Sequence, residues 1–129
     1  YVRMKGKACG EMGMAHWTVA MPKDTSEAGL LAEIRRLNAD AKVHGILVQQ
    51  PLPPQISTEA AVAAVDPRKD VDCFHPENVG LVLIGTPRFA PATPAGVVEL
   101  LAQSRLRVPG RPSGVRRAIA ALAAPLLRS

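Results

Sequence analysis

The run Val43-His44-Gly45-Ile46-Leu47-Val48 breaks off in two amides, Gln49 and Gln50, and then in the bend Pro51-Leu52-Pro53-Pro54. A short apolar segment of this kind, bounded by turn residues, reads as a parallel strand covered on both faces. Upstream, His16 to Met21 reads as a second short strand, closed by Pro22. Between the two lies the clearest helical pattern in the chain. Leu30, Leu31, Ile34 and Leu37 form an apolar stripe, and Asp24-Thr25-Ser26-Glu27 supplies capping residues, with Asp24 and Glu27 at capping-box spacing. Strand, helix, strand in this order builds a right-handed crossover. The fold class expected is therefore α/β, made of βαβ units with parallel strands. Gln49 and Gln50 sit at the carboxyl end of a strand, where open α/β sheets bind ligands.

The remaining elements follow from local signals. Tyr1 to Met12 has a helical pattern with Val2, Cys9 and Met12 on one side and Gly13 placed to end it. Ser57 or Thr58 caps a short helix, Glu59 to Val65, with Ala61, Val62 and Val65 inward. Val79 to Ile84 reads as a further extended segment. Thr93-Pro94 reads as a helix start, with Val97, Leu100 and Leu101 as its buried side.

Charge placement limits the partners. The chain carries a formal net charge of +5, but up to Ser104 ten basic residues face eleven acidic ones. The excess is Arg105, Arg107, Arg111, Arg116, Arg117 and Arg128, in a tail of Ala, Leu and Arg. The four aromatic residues are not interleaved with these arginines, so stacking recognition of nucleic acid is not expected. Cys9 and Cys73 have neither zinc spacing nor a disulfide framework, which fits a reducing compartment. No apolar run is long enough to span a bilayer and no targeting segment is visible, so a cytoplasmic setting is expected, or a mitochondrial one if a transit peptide preceded Tyr1.

Several residues are candidates for chemistry, each with an ordinary structural explanation beside it. Lys5 becomes a useful base only if burial or neighbouring charge tunes it, and Tyr1 lies one turn away on the same helical face. Asp70 and Asp72 flank Val71, so in an extended chain they share one side. Asp72, Cys73 and His75 lack a second ligand set at zinc spacing, and no metal is expected. His44, inside the apolar run, reads as a hydrogen-bonded core histidine. No nucleophile elbow, HExxH helix, Walker loop or GxGxxG is present.

The same stretches carry a resemblance. Tyr1-Val2-Arg3-Met4-Lys5 resembles the YVxxK motif of the bifunctional methylenetetrahydrofolate dehydrogenase/methenyltetrahydrofolate cyclohydrolase family. Val43 to Pro53 is similar to its VHGILVQLPLP signature, Lys69 to Pro76 to KDVDGFHP, and Pro91 to Gly96 to PCTPxG. The resemblance covers residues 1–110. It implies Lys5, Gln49 and Asp72 as catalytic residues: Lys5 assisting water attack, Gln49 hydrogen-bonded to Lys5, and Asp72, rather than Asp70, holding the pterin ring of the folate. It further implies a substrate site of Tyr1, Lys5, Val48, Gln49, Gln50 and Asp72, with the backbone of residues 48–50 along the cleft.

The resemblance also implies a function in one-carbon metabolism. The intact family oxidises 5,10-methylenetetrahydrofolate with NADP or NAD, hydrolyses the methenyl product to 10-formyltetrahydrofolate, and forms homodimers. Departures matter here. Gln50 stands for leucine, Ala92 for cysteine, and Cys73 for a glycine, a strained exchange if the backbone there has positive φ. After Gly110, Arg111-Pro112-Ser113-Gly114 replaces the family's GRSxxVGxP loop. The expected organisation is a folate-binding catalytic domain over residues 1–110, incomplete at both ends, and an atypical basic tail over 111–129 with no recognisable cofactor-binding site. Hydride transfer is then expected to be lost. The alternative is an inactive truncated product that binds folate or dimerises.

Overall fold

The computed structural model describes residues 2–103, the side chains of residue 98 and of residues 101–103 excepted; Tyr1 and the basic tail lie outside the described residues. Five helices follow in order: α1 (Val2–Glu11), α2 (Glu27–Ala39), α3 (Thr58–Ala64), α4 (Pro76–Ile84) and α5 (Ala92–Gln103).

The core is built where α2 packs on α3. Ile34, Ala61 and Val65 meet Val43 and Ile46 there, with Leu30, Leu31, Leu37, Val48 and Leu52 packed around them. Burying one such side chain contributes about 1.5–3 kcal/mol. Ser26 caps α2, its hydroxyl accepting from the Gly29 amide at 3.2 Å. Glu27 does not close a capping box with Asp24. Its carboxylate accepts from the Ser57 amide at 2.8 Å and ties the start of α2 to the cap of α3. At the other end Asn38 joins the same helices, donating to the Ala64 carbonyl at 2.8 Å and accepting from the Asp66 amide at 2.9 Å.

Parallel pairing is present, with an unexpected partner. Ile46 bridges Asp70, and its amide donates to the Lys69 carbonyl at 2.7 Å. Among the described residues this stays a single bridge and does not extend into a ladder. His16 to Met21, expected as the neighbouring strand, is irregular and exposed throughout, with Trp17 53 % exposed. Nor is the 43–48 segment covered on both faces. Helices α2 and α3 bury Val43 and Ile46, while Leu47 and His44 are exposed, so His44 is no core residue.

Two helices differ from their sequence patterns. Val79 to Ile84 belongs to α4, because proline in the first turn, Glu77 beside it and Gly85 at the left-handed C-cap outweigh the β-branched residues between them. The cap is His75, whose Nδ1 accepts from the Glu77 amide at 3.1 Å. Helix α5 begins at Ala92, one residue ahead of Thr93, which is therefore inside the helix and not its cap. Pro94 is buried within it and Pro91 just before it, whereas Val97 and Leu100 are exposed, the latter 69 %, and the side chain of Leu101 lies outside the described residues. Among the described residues nothing covers that side.

Helix α1 ends as the glycine signal suggests, Gly13 adopting φ +71°. None of its residues is buried, and Val2 and Met12, expected on an apolar contact side, are exposed. Gly6 has a use beyond propensity: the His16 ring lies 3.0 Å from where a Cβ would sit.

The turn after the bridge contains the one strained residue found by sequence. Cys73 has φ +59° and is 2 % exposed. Cysteine in this left-handed region costs about 1–2 kcal/mol that glycine would not. Burial, with the Asp70 charge adding, pushes its thiol from an ordinary value near 9.0 up to about 11.

Two measurements check this account. A Cβ on Gly45 would lie 2.6 Å from Val71 Cγ1, so Gly45→Ala lowers stability by about 1–3 kcal/mol. Val71→Ala in the same chain recovers most of that loss in a thermal melt. At position 73, Cys73→Gly is more stable than Cys73→Ala by about 1 kcal/mol, because only the backbone term distinguishes them. The unfolded thiol ionises near 9.0 and the folded one near 11, so stability held at neutral pH is lost as pH rises between these values. Cys73→Ala lacks that alkaline loss in urea titrations across the range.

Candidate active site

The site grows from the segment Lys69 to His75. Lys69 faces away from it: its ammonium donates to the carbonyls of Leu37, Asn38 and Asp40 at 3.1, 2.7 and 2.8 Å, capping the C-terminus of α2. A cation at the negative end of a helix is favourably placed. This anchors one end of the loop to the core.

The two aspartates do not share a side, because residues 71 and 72 form a turn rather than an extended chain. The Cys73 amide donates back to the Asp70 carbonyl at 3.3 Å. Asp70 is buried, and its carboxylate accepts from the amides of Phe74 and His75 at 3.2 and 2.9 Å and from Asn78 Nδ2 at 2.9 Å. Asp70 is thus a structural residue. Asp72, on the other side of the turn, is half-buried.

Asp72 carries the perturbed carboxyl of this loop. Burial holds its carboxyl above the usual carboxylate range; the Lys5 ammonium pulls it back down, and the Asp70 charge adds to the rise. Lys5, half-buried on α1, is therefore within electrostatic reach of Asp72. A neighbouring cation and anion of this kind can hold and pass a proton while also orienting a polar heterocycle.

The other expected residues are arranged less directly. Gln49 is exposed, and its side-chain nitrogen donates to the Gln50 carbonyl at 2.8 Å. Val48 packs its side chain on the core, which leaves its backbone as the part available to a ligand. Gln50 is half-buried and precedes Pro51 through a cis peptide. Nothing in the structure explains why glutamine stands at position 50. Tyr1 lies outside the described residues. Among the described residues no group of three or more His, Cys, Asp or Glu converges on a metal position.

Sequence reasoning passed over two residues. Asn78 is 0 % exposed with every polar atom used: Nδ2 donates to Asp70 and, at 2.7 Å, to the Pro67 carbonyl, while Oδ1 accepts from Arg88 Nη1 at 2.8 Å. Arg88 also pairs with Glu77 at 2.8 Å. Asparagine in the first turn of a helix carries no motif signal, and Arg88 lies between the two motifs that frame it. Nearby, Arg68 holds the Asp66 carboxyl down at about 2, assisted by the Arg68 amide.

A dinucleotide's pyrophosphate does not suit three of these helices. Helices α2, α3 and α4 carry Glu27, Glu59 and Glu77 in their first turns, which oppose a bound phosphate at the end where the backbone would attract one. No helix among the described residues is long and apolar enough to cross a membrane.

Residues 1–72 match the family profile of the tetrahydrofolate dehydrogenase/cyclohydrolase catalytic domain. The bifunctional protein FolD of Ruminiclostridium cellulolyticum is 50 % identical over 111 residues, which cover 86 % of this chain and 39 % of that protein. FolD of Methanospirillum hungatei is 45 % identical over 111 residues, 86 % of this chain and 40 % of that one. The methylenetetrahydrofolate dehydrogenase-cyclohydrolase of Trypanosoma brucei, solved with NADP cofactor and inhibitor, superposes with a TM-score of 0.81 at 39 % identity, covering 86 % of this chain and 38 % of that one. The Campylobacter jejuni enzyme gives 0.77 at 42 % identity, covering 82 % and 38 %. This chain thus spans about two fifths of the length of the relatives it matches. With its four motifs in order, the family profile matched over residues 1–72 and a relative 50 % identical over 111 residues, the chain belongs to the tetrahydrofolate dehydrogenase/cyclohydrolase family and carries part of its catalytic domain.

Proposed function

We propose that residues 1–110 are the folate-binding catalytic part of a bifunctional methylenetetrahydrofolate dehydrogenase/methenyltetrahydrofolate cyclohydrolase, and that this chain retains the hydrolytic, lysine-centred half of that chemistry. The observation that carries the reading is the family profile matched over residues 1–72, which takes in both Lys5 and Asp72, with the Lys5 charge felt at the Asp72 carboxyl. Opening the methenyl bridge needs water to attack an electron-poor carbon. Lys5 directs the proton that this water releases, and a neighbouring carboxylate keeps the amine in a polar, charge-balanced setting. The Gln49 amide offers both a donor and an acceptor, so it serves the ammonium and the neutral amine alike.

Asp72 orients the flat heterocycle, which converts binding into proximity of the reacting groups. Tyr1 packs against the same ring, and the backbone of Val48, Gln49 and Gln50 lines the cleft floor. The whole protein acts as a homodimer in the cytoplasm, in one-carbon metabolism that supplies purine biosynthesis. Its dehydrogenase step uses NADP, which accepts a hydride when bound. The acidic starts of α2, α3 and α4 do not suit its pyrophosphate.

A second reading is favoured by one observation. Leu83, Ile84, Val97 and Leu100 are exposed on α4 and α5, and exposed apolar side chains suit association. In that reading the chain binds folate or a second copy without turnover.

One assay separates them. Mixed with 5,10-methenyltetrahydrofolate, the chain accelerates loss of the methenyl absorbance over buffer, and Lys5→Met lowers that rate by about 10²-fold or more. Asp72→Ala raises KM more than it lowers kcat. A rate equal to buffer, with folate still bound, rejects the enzyme reading in favour of the second.

A further inference from the structure

We propose that Arg88 and Asn78 are positioning residues for Asp72: together they lock the Asp70 carboxylate under the turn that aims Asp72 into the folate site. The proposal rests on the folate reading for Asp72. Neither residue need touch substrate.

The argument starts from what each group can donate. A guanidinium has donors and no acceptor, so the Arg88 contact at 2.8 Å requires the oxygen of the Asn78 amide to face it. The amide nitrogen then faces Asp70 Oδ2 at 2.9 Å and the Pro67 carbonyl at 2.7 Å, both acceptors. Were the amide reversed, its oxygen would oppose two acceptors in a fully buried position. Arg88 is itself held by Glu77 at 2.8 Å. A partly exposed arginine thus sets the orientation of a buried asparagine.

Asp70 transmits that orientation to the turn. Its Oδ2 is shared by Asn78 and the His75 amide, its Oδ1 takes the Phe74 amide, and its carbonyl takes the Cys73 amide. Opposing these bonds is the left-handed backbone of Cys73, immediately after Asp72. A residue held in that region persists only when its surroundings over-determine it. Once Asn78 loosens, the turn has a reason to relax, and Asp72 moves with it. Relief of that strain should therefore make Arg88 dispensable, although no contact between Arg88 and Cys73 is involved.

The test compares Arg88→Met, Arg88→Lys, Glu77→Gln and Arg88→Met combined with Cys73→Gly, all in the full chain. Arg88→Met is expected to raise hydrogen exchange at the Phe74 and His75 amides about tenfold, with α2 amides unchanged, and to move the Asp72 carboxyl carbon resonance. It is also expected to raise KM for 5,10-methenyltetrahydrofolate about tenfold with little change in kcat. Arg88→Lys recovers most of the loss, Glu77→Gln produces little of it, and the combined variant restores exchange, resonance and KM together. Unchanged exchange and resonance in Arg88→Met would overturn the proposal, as would a loss that Cys73→Gly does not repair. Both spectroscopic readouts need no turnover, so a chain that fails to hydrolyse the folate defeats the functional reading while they still decide this one.

Discussion

A single buried carboxylate organises the part of this chain that matters most. Asp70 gathers two loop amides and an asparagine side chain, and its own backbone is bridged to Ile46 in the core. A buried charge left short of such partners costs several kcal/mol, so the loop cannot rearrange without first satisfying it elsewhere. Lys69 fixes the preceding residue to the end of α2 by three carbonyl bonds. The segment is pinned on both sides of the turn at residues 71–73.

That arrangement explains how two acids one residue apart acquire different roles. Asp70 is consumed by hydrogen bonds, and Asp72 remains half-buried within reach of Lys5. Cysteine at position 73 makes the turn more costly than glycine would, so the surrounding bonds have more to hold. The core supplies the rigid platform: α2 and α3 are tied at both ends by Glu27 and Asn38, and the strain is borne beside it rather than within it.

Much of the local structure was legible in the chain. The apolar stripe of α2, the Ser57 cap of α3, and the glycine that ends α1 are where spacing puts them, because each depends on interactions within a few residues. Positive φ at Cys73 also followed from reading a glycine position. What failed shares a cause. The strand at His16 to Met21, the covered second face of residues 43–48, and the buried side of α5 each require a neighbour distant in sequence, which periodicity cannot name. Residues 79–84 failed differently, since a histidine cap is a weak signal and the β-branched residues outvoted it.

For the site, the resemblance of four motifs in order implied Lys5, Gln49 and Asp72 and the family, whereas each of those residues taken singly has an ordinary structural explanation. The sequence alone therefore determined α2, α3 and the end of α1 and, through the resemblance, the candidate groups, all properties of short stretches and residue identity. Tertiary structure decided that Asp70 is consumed by buried hydrogen bonds, that Lys69 serves α2, and that Asn78 and Arg88 stand behind the loop. Hydrogen bonds among buried polar groups depend on which segments meet in space, and a chain's linear order does not specify those meetings.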